Sequence, residues 1–376
     1  MNIGPLLSPT EFIGLDGITH LCTGGEAPWL NAQAEVYAEF ARLKSAGYPG
    51  RKEIYARGER CRTRMGQLWG VPSERIALMP SAAEGMNWLS RGLDWRAGDN
   101  IVTTNLEFPS VAYAWSLLRR QGVEVRMVPH QNWIVSEADL LGAVDGRTRV
   151  LAVSHVSFYT GQCLNIARLA DGVRSKGTLL AVDATHSSGV LRVPAGLTDL
   201  TVSSSYKWML ATHGVAPCYL SNRAEAQTET TCFGWHNLDI WPKQGAERYP
   251  DVDVKLMPER LEPGNPAMVV VMFLDQALEV LLRVGVDRIE NHARDLSELV
   301  SAGLEQLGYT VISPKFRAGR SGNTCFLVED AKGMEDRLTD RGVLCWGEYG
   351  RVRVSTHLYN GSADVEQFLK VLAEVT

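Results

Sequence analysis

Between residues 75 and 206 the chain alternates short β-rich apolar runs with longer stretches of helical period. The runs fall at 75–79 (RIALM), 100–105 (NIVTTN), 124–129 (EVRMVP), 149–156 (RVLAVSHV), 179–184 (LLAVDA) and 200–206 (LTVSSSY). Helical patterns lie between them, as at 110–122 and 166–177. Several of the runs are apolar almost without a break, which is expected when both faces of a sheet are covered. The pattern predicts an α/β fold with a mostly parallel sheet. After residue 207 the character changes. Residues 221–262 are irregular, with Pro, Gly, Trp and Tyr, and a helical period follows from about 265 to 284. The remaining segments, including GNTCFLVE, VLCW and GRVRVST between helical patterns, predict a smaller α+β unit. The organisation expected is an N-terminal arm over 1–20, a large domain over 21–262, and a linking helix with a small C-terminal domain over 263–376.

Composition narrows this picture little. A chain of 376 residues, 45% hydrophobic and 22% charged, has an ordinary globular make-up and buries a large core. A net charge of -5 gives no sign of a nucleic-acid or membrane partner. The opening MNIGPLLSPTEF has no basic region and no long apolar stretch, so no secretory leader is expected there. The apolar run AMVVVMFL at 267–274 stops at Asp275, too short to span a bilayer. Seven cysteines at wide spacings contain no close ligand pair. A metal site or a disulfide framework is therefore not expected, and reduced thiols in a cytoplasmic protein are.

Candidate chemistry collects where strands are predicted to end, which is where open α/β sheets bind ligands. LMPSAAEGMNWL (78–89) reads as a strand, a turn of small residues and a helix, suited to holding an anion on helix N-terminal amides. AVDATHSSG (181–189) places Asp183 after an apolar strand, with His186 three residues on; a helix cap is the plain alternative for the acid. SSSYKW (203–208) places Lys207 at the next strand end, 24 residues after Asp183, beside Ser204 and Ser205. A phosphate cradle, a buried carboxylate and a strand-end lysine together fit pyridoxal 5′-phosphate (PLP). In PLP enzymes a lysine forms a Schiff base and an aspartate pairs with the pyridine nitrogen.

Those segments, with VSHVSFYTGQCLNI and RVRVSTHLYN, resemble fold-type-I PLP enzymes of the class V aminotransferase superfamily, the group of cysteine desulfurases, selenocysteine lyases and isopenicillin N epimerase-like proteins. The resemblance implies that Lys207 is the Schiff-base lysine and that Asp183 bonds the pyridine nitrogen. His186 would reach the phenolic oxygen of the cofactor. Ala82, Ala83 and Glu84 match the phosphate turn, with Ala83 replacing a hydroxyl residue of relatives. Ser204 and Tyr206 match phosphate ligands. Phe108 sits where desulfurases carry a ring-stacking histidine, and Phe158 replaces a common asparagine. Arg353 matches the arginine that holds the substrate carboxylate, with Arg351 as its rival by a register slip. Asn265 aligns with an element that contacts the phosphate of the other subunit, implying a homodimer with a shared active site; a helix N-cap before Pro266 is the plain reading.

The expected substrate is an L-amino acid, a small molecule. Cys345 lies only eight residues before Arg353, on an expected strand, which argues against a desulfurase-type cysteine nucleophile. The reaction expected is β-elimination of the C–S lyase type, with an aminotransferase or amino-acid epimerase as the alternative and a non-catalytic PLP-fold binding protein as the second. Trp235, Trp241, Tyr249 and His236 form an aromatic stretch that either lines the substrate pocket or packs as a loop. His213, six residues past the lysine, is a candidate second proton carrier.

Overall fold

The computed structural model describes residues 2–240 and 252–375. A seven-stranded sheet forms its centre. In chain order the strands are β1 (Ile76–Met79), β2 (Asn100–Thr104), β3 (Glu124–Val128), β4 (Thr148–Ser154), β5 (Leu179–Asp183), β6 (Leu200–Val202) and β7 (Ala216–Leu220), arranged β1-β7-β6-β5-β4-β2-β3. Strand β7 runs antiparallel to both neighbours, and the other pairs are parallel. Strands β1, β2, β4, β5, β6 and β7 are buried along their whole length or nearly so, because apolar layers cover both faces of the sheet.

Three local features differ from expectation. The run at 200–206 is a strand only as far as Val202. Beyond it the Ser205 hydroxyl is shared between the carbonyls of Thr212 and Val215, each 2.7 Å away. A serine side chain that bonds loop carbonyls competes with the sheet ladder and ends the strand. Lys207 therefore sits on a buried turn rather than at a strand terminus. Strand β7 is not among the expected runs; it carries Pro217 in its interior, and proline weakens the strand signal of a short run. The helical pattern at 110–122 resolves into a short α-helix, Pro109–Ala112, and a 3-10 stretch, Tyr113–Gln121.

A second, antiparallel sheet is formed by β8 (Asn323–Leu327), β9 (Trp346–Glu348) and β10 (Arg351–Ser355), ordered β8-β10-β9. Its apolar face packs against the helices Val286–Gln306 and Ser362–Val375. The N-terminal segment joins this sheet's side of the molecule: Thr19–His20 pairs with Val343–Leu344, and the Ser355 amide donates to the Leu21 carbonyl at 2.8 Å. The helices Gly47–Trp69 and Met268–Val284 pack together beside the large sheet. Among the described residues no helix is long and apolar enough to cross a membrane, and no cluster of side chains could hold a metal ion.

Candidate active site

Parallel pairing sets the carboxyl ends of β4, β5 and β6 side by side, with Ser154 opposite Asp183 and Asp183 opposite Val202. At β1 the chain turns into the helix Ala82–Gly92, whose N-cap Ser81 accepts from the Glu84 amide at 3.2 Å. The small residues after Ser81 leave the helix N-terminus open toward the same place. A cavity of about 180 Å³ results, lined by Ser81, Ala82, Ala83, Asp183, His186, Ser204, Tyr206 and Lys207 among others. A wider cavity of about 600 Å³ opens above it and shares Phe108, Phe158, Tyr206 and Lys207.

Lys207 stands between the two and is 8% exposed. Burial pulls its ammonium down to about 8, and the Arg353 guanidinium works in the same direction against the opposing charge of Asp183. A neutral amine is thus within reach near neutral pH, as a nucleophilic lysine requires. Asp183 is buried, and burial raises its carboxyl; Thr185 opposes the rise, its amide donating to Asp183 Oδ1 at 2.8 Å. Among the described residues the Asp183 carboxylate has no fixed cation against it except the lysine, so the cavity can take a positively charged ring nitrogen there.

His186 Nε2 lies 3.2 Å from Lys207 Nζ. On the other side of the ring, Nδ1 faces the Trp208 indole N–H at 3.4 Å and the Asn323 side-chain amide at 3.1 Å. An indole N–H only donates, so Nδ1 accepts and the neutral ring carries its proton at Nε2. Burial first, and then the charge of Lys207, hold His186 well below its ordinary pKa and keep it neutral. The site thereby presents an N–H donor beside Lys207. Neither Trp208 nor Asn323 was singled out in the sequence; Trp208 carries the signal of direct adjacency to the lysine, whereas Asn323 arrives from β8 and gives none.

Arg353 is 3% exposed and lines the wider cavity. Its Nη1 donates to the Phe158 carbonyl at 3.1 Å, and its Nε is buried with no hydrogen-bond partner among the described residues. A buried guanidinium with an unpaired N–H, on a residue that lines a cavity, suits an anionic ligand. Arg351, the rival, lines neither cavity: its Nε donates to the Tyr159 carbonyl at 2.8 Å, its guanidinium lies 3.4 Å from the Tyr159 ring centre, and its Nη2 is likewise buried with no hydrogen-bond partner among the described residues. Gly24 makes room beside the anchor. A Cβ there would meet Ser355 Oγ at 2.7 Å and Arg353 Nε at 3.1 Å.

Glu107 was also missed, although it directly precedes Phe108. Its carboxyl accepts from the Ser154 amide at 2.6 Å, the Ser154 hydroxyl sits 2.5 Å away, and burial raises it to about 7. Phe108 lies under the lysine, with Lys207 Nζ 5.6 Å from its ring centre, and meets Phe158 edge-on at 5.2 Å. Together they replace two polar side chains of the expected pattern with an apolar clamp.

Several expected site residues lie elsewhere. Glu84 is exposed and outside both cavities; only its backbone amide serves the turn. Asn265 is not a helix cap, because the helix begins at Met268 with Ala267 as its N-cap. Its side chain instead accepts from the Tyr55 hydroxyl at 2.7 Å, in a surface cavity with Tyr48 and Arg51. Trp235 and His236 line an adjoining cavity with the same Tyr48, Arg51 and Tyr55. That loop is tied down there because the His236 amide donates to the Pro263 carbonyl and Lys255 Nζ to the His236 carbonyl. Trp241 and Tyr249 fall outside the described residues. His213 is exposed and stacks on Tyr206 at 3.8 Å, outside both cavities. Cys345 is buried in the core of the small sheet, and burial raises its thiol.

Comparison with known proteins identifies a family and matches the fold. Residues 29–368 match the family model described as aminotransferase class-V. A probable cysteine desulfurase of Methanothermobacter thermautotrophicus is 23% identical over 371 residues, covering 93% of this chain and 91% of that one. Among solved structures, a cysteine desulfurase from Thermococcus onnurineus superposes with a TM-score of 0.89 at 20% identity, covering 99% of both chains. The cystine C-S lyase C-DES superposes with a TM-score of 0.87 at 21% identity, covering 96% of this chain and 99% of that one.

Proposed function

The chain belongs to the class V aminotransferase family, and on that premise we propose that it is a PLP-dependent enzyme that eliminates a sulfur substituent from the β-carbon of an L-amino acid. The observation that carries this reading is Lys207: buried, drawn down to about 8, and set between Asp183 and Arg353 where the two cavities join. The donor set fits the cofactor. Asp183 would pair with the ring nitrogen, the His186 Nε2–H would serve the phenolic oxygen, Phe108 would cover the ring, and Ser204 with the amides after Ser81 would hold the phosphate. PLP, when bound, supplies an electron sink for bonds at the α-carbon. Arg353 holds the carboxylate of the amino acid. Lys207 Nζ carries the α-proton, and the neutral His186 keeps a donor beside it.

A route without a cysteine nucleophile is supported by the cavities themselves, since no described cysteine lines either one. Asn265 and its neighbours Tyr55 and Arg51 belong, in this reading, to the site of a second copy of the chain, and the enzyme is a cytoplasmic homodimer.

The test is a product assay on the PLP-loaded protein with L-amino acids and cysteine thioethers. Pyruvate and ammonia in equal amounts are expected from a thioether, and Lys207→Ala is expected to lose both the cofactor's visible absorbance band and the products. Pyridoxamine phosphate without pyruvate would make the protein an aminotransferase, and inversion at the α-carbon without either product would make it an epimerase.

A further inference from the structure

The wider cavity is far larger than the side chain of alanine or cysteine fills, at about 600 Å³. Its walls are aromatic: Phe108, Tyr113, Phe158, Tyr159, Trp346 and Tyr349 all face it. Trp346 stands beside the carboxylate anchor, with the Arg353 guanidinium 4.7 Å from its ring centre. Tyr159 is braced from both sides, by Arg351 and by Trp133, whose ring stacks on it at 5.6 Å and 8°. Apart from Lys207 and Arg353 the described lining carries no cation, while Glu107 and Glu348 are acids. An anionic side chain finds no partner in such a space. A flat apolar one finds ring faces and edges on several sides.

The mouth of the cavity adds an independent observation. Strands β9 and β10 are joined by a two-residue hairpin, Tyr349–Gly350, closed by the pair Glu348 and Arg351. Both central residues have positive φ, 53° at Tyr349 and 71° at Gly350. Hairpins of that kind take Asn-Gly or Asp-Gly, because a residue with a bulky Cβ substituent is strained at the first position. A tyrosine there is a poor turn former. Tyr349 is also 66% exposed, and Tyr113, which lines the same cavity, is 70% exposed. Large exposed aromatics clustered at a cavity mouth mark a surface awaiting a ligand. Strain at a position where a better residue is available points the same way.

We propose that the substrate is an L-amino acid with a large, flat, apolar side chain, and that Tyr349 is a specificity-determining residue that closes over it. This rests on the reading that an amino acid binds at Lys207 with its carboxylate on Arg353, and it adds the chemistry of the side chain. It does not depend on which bond is then broken.

The experiment is a titration of the PLP-loaded protein with L-phenylalanine and with L-alanine, followed by the change in the cofactor's absorbance, on wild type, Tyr349→Asn and Tyr349→Phe. Wild type is expected to bind phenylalanine at least about tenfold more tightly than alanine. In Tyr349→Asn that ratio falls about fivefold, as losing one aromatic partner would cause. The same variant raises Tm by about a degree or more, because asparagine suits the turn. Tyr349→Phe keeps the ratio. Equal affinities in wild type would overturn the substrate class. An unchanged ratio in Tyr349→Asn, or a lowered Tm, would overturn the role of Tyr349. If neither amino acid perturbs the spectrum of a protein that holds PLP, the reading beneath the proposal fails and the proposal with it.

Discussion

Glu107 shows how much one buried side chain can contribute at this site. Its carboxyl is held in a dry pocket by Ser154 and stands near Asp183, so it resists ionisation. The folded state raises it from 4.5 to about 7. A group raised in this way contributes stability that is fully present below pH 4.5 and is lost as pH rises through about 7. The shift corresponds to about 3 kcal/mol. Glu107→Gln is neutral at every pH and removes that dependence. Urea unfolding of wild type and variant across pH 4 to 8 is expected to show wild type losing ground to the variant as pH rises, by an amount of about that size. A difference that stays constant with pH would contradict the assignment. In the sequence this residue was only the letter before Phe108, since burial is not written in LEFPS. Lys207 was different: its neighbours in SSSYKW, and its distance from Asp183, already suggested a lysine held for chemistry.

At the scale of elements, the apolar contact between the helices Met268–Val284 and Gly47–Trp69 is joined by one buried carboxylate that gathers three arginines. Asp275, wholly buried, meets Arg57 at 3.0 Å, Arg60 at 2.8 Å and Arg64 at 2.6 Å, three guanidinium groups set along one face of the partner helix. Removing the acid would leave three positive charges facing each other with much of their solvation gone. Asp275→Ala is therefore expected to lower unfolding stability by about 3–5 kcal/mol, while Asp275→Asn, which keeps hydrogen-bond acceptance, costs less. Chemical denaturation measures both, and an alanine variant as stable as wild type would show that the arginines are solvated after all. The helical period at 265–284 was plain in the sequence. That its buried acid Asp275 would be the hub of three arginines more than two hundred residues upstream was not, because an ion pair between distant elements leaves no periodicity.

At the scale of the whole molecule, the candidate site is a seam. Lys207, Asp183 and the helix after Ser81 belong to the large sheet; Arg353, Asn323 and the Tyr349 hairpin belong to the small one; Gly24 belongs to the N-terminal segment between them. One expected contributor, Asn265, lies on a separate surface beside Tyr55. If a second copy brings that surface to the phosphate end of the site, a negative charge there repels the cofactor. Asn265→Asp is expected to weaken PLP binding about tenfold or more by fluorescence titration. Mixing subunits of Asn265→Asp with subunits of Lys207→Ala is expected to recover part of the activity that each lacks alone. Unchanged PLP affinity in Asn265→Asp would remove Asn265 from the site.

Local chemistry and period were enough for much of this protein. Apolar runs at the spacing of β-strands fixed the parallel sheet, because a strand covered on both faces has to be apolar throughout. Asp183, His186 and Lys207 were legible because each follows such a run closely, and the chain itself delivers them to one edge of the sheet. Tertiary structure decided what depends on distant segments meeting. That Arg353 and not Arg351 lines the wider cavity depends on where Tyr159 packs, the protonated nitrogen of His186 depends on the Trp208 indole, and Trp235 sits beside Tyr48, Arg51 and Tyr55 because its loop is bonded to residues 255–263. The aromatic cavity itself is assembled from three separate stretches of chain, around Phe108, Phe158 and Trp346. None of those stretches reads as a pocket alone, since a cavity is a property of surfaces that face each other and sequence order does not record which ones do.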